Sequence, residues 1–300
     1  MRVRQFHHSL PSLSSRKSPG LPGIAQVARL PYVLALFMTG KHVQQALKTA
    51  VAAAQSAGTI MRANLRLNKK VNEATQHDIK LELDVRCQKT IERRLRKDFA
   101  DIAILGEEGI TGDPEAQYRW VVDPIDGTVN FTYGIPHACV SIALQQRAKH
   151  SSAYESLVGV VYDPFCNELW TATKGTAAKL NGQTIKPSSR RKLEEAIVAV
   201  GFAKHAQTLD KMLPTLNQLI HKVRKVRIMG SAALATVYVA TGRMDAYVEY
   251  GLRLWDIAAG GLILERAGGD FCHEPVPGDY TYRILLNNGH LRGKLEAFAR

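Results

Sequence analysis

The stretch WVVDPIDGTVNF at residues 120–131 constrains this chain more than any other. Two acids, Asp123 and Asp126, stand three residues apart in the turn sequence Asp-Pro-Ile-Asp-Gly. An apolar run at Val121 and Val122 leads in, and a short segment from Thr128 leads out. The pattern predicts a buried strand ending in a tight turn whose exit opens a helix. Carboxylates in such a turn can hold a divalent cation, because hard cations take oxygen ligands. The backbone N–H groups of Gly127 and Thr128 then face an anion. The plainer alternative is a turn and nothing more: proline presets φ, aspartate bonds locally and glycine takes positive φ. The pentapeptide leaves both readings open.

Three hundred residues suit one large domain or two closely packed halves, and 45% hydrophobic content is ordinary for a packed core. The formal net charge of +13 is compatible with nucleic acid, an anionic surface or an anionic small substrate. Part of it is local. Residues 1–37 hold Arg2, Arg4, Arg16, Lys17 and Arg29 and no acid; the rest of the chain carries 35 basic against 27 acidic residues, or +8. That leader is rich in serine and proline and lacks periodicity. It is expected to lie outside the folded core, as a disordered, cleaved or transit segment or as sequence ahead of a true start at Met38. Its apolar run at residues 31–37 is too short to span a membrane. Cys87, Cys139, Cys166 and Cys272 form no C-x-x-C pair. A disulfide scaffold and a zinc site are therefore unsupported, and a reducing, cytoplasmic setting fits.

From His42 the apolar positions Val43, Leu47, Ala50, Ala54, Met61 and Leu65 recur at helical spacing. Residues 69–79 are polar and read as a loop. Asp84 is placed as the N-cap of a second helix, with Ile91, Leu95 and Phe99 on one face and Arg93, Arg94, Arg96 and Lys97 on the other. A short strand at residues 102–105 runs into Gly106-Glu107-Glu108-Gly109. Strand-like runs at residues 138–144, 157–162, 168–172 and 177–180 predict an antiparallel meander, with Asn181-Gly182 as a hairpin turn. After Pro187 strands alternate with helices, and Asp256 is placed as the N-cap of a helix opening on Ala258-Ala259-Gly260-Gly261. P-loop, dinucleotide, serine-hydrolase and zinc-protease motifs are absent. His137 reads as structural.

The acids Asp84, Glu107, Asp123, Asp126 and Asp256 all fall at predicted element ends. Brought together without basic partners they would repel, and two or three Mg²⁺ would satisfy them. Here the sequence closely resembles the inositol monophosphatase family. Gly106-Glu107-Glu108 matches its G-E-E element. Asp123-Pro124-Ile125-Asp126-Gly127-Thr128 with Asn130-Phe131 matches D-P-I-D-G-T-x-N-F, and Trp255-Asp256 with Ala258-Ala259-Gly260 resembles W-D-x-A-A-G. The likeness covers residues 42–295.

The resemblance implies an α+β fold, a layered α-β-α-β-α sandwich over residues 38–300, with an α+β half to about residue 186 and an α/β half after it. It also implies a Mg²⁺-dependent, Li⁺-sensitive phosphomonoesterase, commonly a homodimer, hydrolysing a small phosphate monoester such as myo-inositol monophosphate by a metal-activated water. By position, Glu107, Asp123 and the Ile125 carbonyl would hold one ion, and Asp123, Asp126 and Asp256 another. Thr128, supported by Asp84, would orient the water. The Gly127 and Thr128 amides would grip phosphate, and Glu249 would meet a substrate hydroxyl. Gly109, Ala177 and residues 201–204 depart from the family pattern. The last departure leaves another sugar phosphate, fructose 1,6-bisphosphate, histidinol phosphate and a phosphonucleotide open as substrates. A different class of reading, a basic RNA- or protein-binding regulator retaining the fold, draws on the cationic helix around Arg93.

Overall fold

The computed structural model describes residues 38–67, 71–74, 79–202 and 206–298. The expectation for residues 1–37 lies outside the described residues. Helix α1 (Gly40–Asn64) starts after Thr39 and buries a face made mostly of small residues, among them Ala46, Ala50, Ala53 and Ala57, with the larger Met61 near its end. Alanine costs no side-chain entropy in a helix and lets it lie close to its support. Helix α2 (Glu82–Asp98) packs beside it through Cys87, Ile91 and Leu95.

Between these helices the polar segment expected to be a loop holds β1 (Val71–Ala74), which pairs antiparallel with β2 (Ile79–Leu81). Strands of four and three residues are too short for a reliable alternation to be read. A second correction concerns Asp84. It is the third residue of α2 rather than its cap, because the helix already begins at Glu82.

The first half of the chain then builds one sheet. Its strands are β3 (Ala103–Gly106), β4 (Gly109–Thr111), β5 (Tyr118–Asp126), β6 (Cys139–Arg147), β7 (Tyr154–Asp163), β8 (Glu168–Thr173), β9 (Lys179–Leu180) and β10 (Gln183–Thr184). Among the described residues their order is β10-β9-β8-β7-β6-β5-β3-β4. From β5 to β10 each strand pairs antiparallel with the next, as the meander reading predicted. Asn181 (φ 48°) and Gly182 (φ 83°) make the final hairpin turn. Both central residues there have positive φ, which suits the right-handed twist of the flanking strands.

The second half supplies β11 (Ile197–Phe202), α4 (Ala206–Ile220), β12 (Lys225–Arg227), α5 (Ala232–Ala240), β13 (Ala246–Arg253), α6 (Leu254–Ala267), β14 (Asp270–Pro275), β15 (Thr281–Asn287) and α7 (Arg292–Leu295). Its sheet runs β12-β11-β13-β15-β14, with β11 parallel to both neighbours. Three apolar clusters follow from this order. One joins α1 and α2 to the outer face of the first sheet. One fills the space between the sheets around α5 and α6. The third joins α4 and α7 to the far face of the second sheet. The result is the α-β-α-β-α layering expected from the sequence. Helix α6 begins at Leu254, so Asp256 too is a third residue and not a cap. No helix among the described residues is long and apolar enough to cross a membrane.

Candidate metal centre

Residues three apart in a regular strand point to opposite faces. Asp123 and Asp126 escape this rule because the pairing of β5 with β6 slips between them: Asp123 faces Ser141, while Asp126 faces Cys139. The extra residue resets the alternation. The carboxylates of Asp123, Asp126 and Asp256 thus each offer an oxygen within 4.8 Å of the others. Glu107 comes from the two-residue turn between β3 and β4, and its carboxyl group meets that of Asp123.

Local bonds hold each acid. The Asp123 carboxylate accepts a 3.0 Å bond from the Ile125 amide within the bulged end of β5, which runs on to Asp126 where the sequence predicted a tight turn. Asp126 accepts from the Ser231 hydroxyl and from the amides of Ala232 (3.1 Å) and Ala233 (2.8 Å), the first N–H groups of α5. It therefore does for α5 what a capping side chain does, from over a hundred residues away. Asp256 reaches back to accept from the Arg253 amide at 2.7 Å. Its place on the third residue of α6 is what makes that bond available.

Gly127 turns the chain from β5 into the five-residue α3 (Thr128–Thr132) with φ 94°. A Cβ there would lie 2.9 Å from the His137 carbonyl and 3.1 Å from that of Gly230, so only glycine fits. Asn130 stitches the same junction, donating to the carbonyls of His137 (2.9 Å) and Met229 (2.8 Å). The Thr128 hydroxyl donates to the Ile125 carbonyl at 2.9 Å. Its one proton is therefore committed to that carbonyl. Asp84 itself is buried in α2, 2% exposed.

Burial and mutual repulsion dominate the electrostatics. Enclosure drives the Asp123 carboxyl well above the usual carboxylate range, and the charges of Glu107, Asp126 and Asp256 push it further. Asp256 is raised well above it by burial and then by Asp126 and Glu107. Burial also raises Asp126, although the donors from Ser231, Ala233 and Ala232 pull it back. Three acids that cannot ionise comfortably side by side form a site whose charge a divalent cation offsets. All three offer hard oxygen donors, so the residues present fit Mg²⁺.

A cavity of about 290 Å³ opens beside the acids, lined among others by Asp126, Asp256, Ser231, Tyr247, Glu249 and Gly201. Glu249 keeps some solvent contact there, yet burial pushes its carboxyl up to about 8, against the opposing effect of the Tyr247 hydroxyl that donates to it. The structure thus gathers Asp123, Asp126, Asp256 and Glu107, with Ile125 in the end of β5, Gly127 and Thr128 where β5 passes into α3, and Glu249 in the cavity lining. Ser231, Asn130 and Tyr247 were not singled out as site residues from the sequence. Asn130 carried a signal as part of the D-P-I-D-G-T-x-N-F match and Ser231 as the small polar residue preceding a helix, while Tyr247 carried none.

Residues 42–283 match the description "Inositol monophosphatase family". The chain belongs to the inositol monophosphatase family. Within it, the chain is 41% identical over 258 residues to the Nus factor SuhB of Pseudomonas aeruginosa, a match covering 83% of this chain and 91% of the relative. It is 36% identical over 265 residues to inositol monophosphatase 3 of Solanum lycopersicum, covering 83% and 94%. Among solved structures it is similar to the extragenic suppressor protein SuhB of Bartonella henselae, with a TM-score of 0.78 at 32% identity, covering 85% of this chain and 98% of that one. Family membership and the fold stand on these matches. Since the similar proteins carry both phosphatase and Nus-factor names, membership does not choose a substrate.

Proposed function

We propose that this chain is a Mg²⁺-dependent phosphomonoesterase acting on a small polyol or sugar phosphate, with myo-inositol monophosphate as the first substrate to test. The observation that carries the reading is the convergence of Asp123, Asp126 and Asp256, each held by its own backbone partners, with Asp126 and Asp256 lining a cavity that also contains Glu249. Glu107, Asp123 and the Ile125 carbonyl would hold one ion, Asp123, Asp126 and Asp256 another, and Glu107 has room in its role for a third. Bound there, the ions supply Lewis-acid activation of water and neutralise charge on the departing oxygen. The protein's own part is orientation. The amides of Gly127 and Thr128 receive the phosphate oxygens, the Thr128 hydroxyl and buried Asp84 fix the polar environment of the attacking side, and Glu249 takes a substrate hydroxyl. We take the working unit to be a homodimer, as the family resemblance implies.

The deciding experiment is phosphate release from a panel of esters, with and without Mg²⁺: inositol 1-phosphate, hexose phosphates, fructose 1,6-bisphosphate, histidinol phosphate and a phosphonucleotide. Mg²⁺-dependent release from at least one ester is expected, and none from any would remove the reading. Glu249→Gln is expected to raise KM or reorder preference within that panel and to leave Mg²⁺ affinity little changed. An unaltered order of substrates would take Glu249 out of the substrate site.

A second reading rests on α2. Arg86, Lys89, Arg93 and Lys97 are exposed and fall on one side of the helix by their spacing, and no ion pair is formed by any of them with an acid among the described residues. A row of cations suits a polyanion, and a binding role can coexist with the enzyme. Reversing two of these charges, Arg93→Glu with Lys97→Glu, is expected to abolish salt-sensitive binding to single-stranded RNA while sparing phosphatase turnover. Wild-type protein that shows no such binding at low salt would end this reading.

A further inference from the structure

The turn that carries Glu107 is poorly supported by its own strand. β4 is three residues long and lies at the edge of the sheet, with Gly109 and Ile110 exposed. Glu107 keeps a 3.1 Å backbone bond to the Val122 carbonyl, but its side chain must stand beside like charges that repel it. A loosely held turn would swing that carboxylate away.

What holds the turn comes from α2. Gln88 is 3% exposed and points its carboxamide at the turn backbone. Its Oε1 accepts from the Glu108 amide at 2.9 Å, and its Nε2 donates to the Gly109 carbonyl at 3.1 Å and to Glu92 at 3.0 Å. A primary amide is the neutral side chain that offers donor and acceptor together, so Gln88 pairs with the turn much as a neighbouring strand would. The approach requires Gly106: a Cβ there would lie 2.4 Å from Gln88 Oε1. The glycine before the two acids therefore has a stated reason, which is admission of this side chain.

We infer that Gln88 is a positioning residue, which sets the Glu107–Glu108 turn so that Glu107 is presented to a cation shared with Asp123. The inference rests on the metal-dependent reading above. It makes Gln88 matter for cation affinity beyond any contribution to folding, since two of its three bonds go to the backbone beneath a ligand.

The test uses the full chain and three variants. Gln88→Met keeps the length and removes both bonds to the turn as well as the one to Glu92. Gln88→Glu keeps the acceptor for the Glu108 amide. Cys87→Ala trims a buried neighbour on the same helix and serves as a packing control. Mg²⁺ affinity is measured by calorimetry without substrate, amide exchange is followed across residues 107–109, and melting is recorded in chelator. Loss of two ordinary hydrogen bonds corresponds to about tenfold or more. Gln88→Met is expected to weaken Mg²⁺ binding by at least about tenfold and to speed exchange in the turn. Gln88→Glu, whose second oxygen would face the Gly109 carbonyl and Glu92 without a proton to donate, should recover at most the part carried by the Glu108 amide, and Cys87→Ala should lower melting in chelator with Mg²⁺ affinity unchanged. Wild-type affinity in Gln88→Met, or an equal loss in Cys87→Ala, overturns the inference. Wild-type protein that binds Mg²⁺ but releases no phosphate would remove the phosphatase reading alone, because the affinity comparison still decides Gln88. Wild-type protein that binds no divalent cation would remove both.

Discussion

Asp123→Asn is expected to lower kcat by at least about a thousandfold, a loss comparable to removing a major electrostatic stabiliser. Asp123 is the one carboxylate assigned to both ions, and it is central to the cluster that meets Glu107, Asp126 and Asp256. An amide of the same shape still offers an oxygen but lacks the charge that offsets repulsion between two dications. The variant should stay folded and, in chelator, melt no lower than wild type, since one repelling acid is gone and only a single bond from the Ile125 amide is weakened. Asp126→Asn should behave differently in stability: three donors from the start of α5 are matched to its carboxylate. Asp84→Asn should cost less activity than Asp123→Asn, its proposed role being indirect. Near-normal Mg²⁺-dependent turnover in Asp123→Asn would discard the two-ion assignment and return the Asp-Pro-Ile-Asp-Gly sequence to the status of a plain turn.

In chelator, the protein is expected to lose at least about 5 °C of melting temperature between pH 5 and pH 8.5. The sign follows from the raised carboxyl groups. Asp123, Asp256 and Glu249 hold protons in the folded state that the unfolded chain releases at ordinary carboxylate pH. Their stabilising contribution is complete below the unfolded value and is lost as pH rises through the folded one. For Glu249 that window runs from 4.5 to about 8. Saturating Mg²⁺ binds only the folded, deprotonated cluster, so its stabilising effect should grow with pH across the same interval. Melting that is flat or rises with pH in chelator would show that these groups are not held protonated, and the electrostatic account of the site would have to go.

The legible parts of this chain are those written in local pattern. Asn181-Gly182 announced its hairpin, and the apolar spacing of α1 announced a helix, because both signals arise from neighbours in sequence. The illegible parts depend on where the backbone starts and what it meets. Asp84 and Asp256 looked like caps because aspartate favours that position, yet Glu82 and Leu254 had already begun the helices. A cap is a property of backbone angles, and a shift of two residues moves it without changing the composition. The bulge between Asp123 and Asp126 is equally hidden: read as a regular strand, the two acids would diverge. Gln88 had no signature either, since its partners are backbone groups that carry no residue identity. The order of the second sheet, with β11 between β12 and β13, is set by crossovers between distant segments.

The bond between Asp126 and the start of α5, and the meeting of Asp126 with Asp256, also order events in time. As the chain is synthesised, the acidic turn emerges about 130 residues before Asp256 does. At roughly 5–20 residues per second the interval is on the order of ten seconds. Throughout it the first sheet can assemble from its own hairpins, but the nascent chain lacks the last acid, and for most of it the α5 amides as well. A product that terminates early therefore cannot complete the three-acid cluster, and ion capture becomes a late event that marks a chain synthesised to its C-terminal layers.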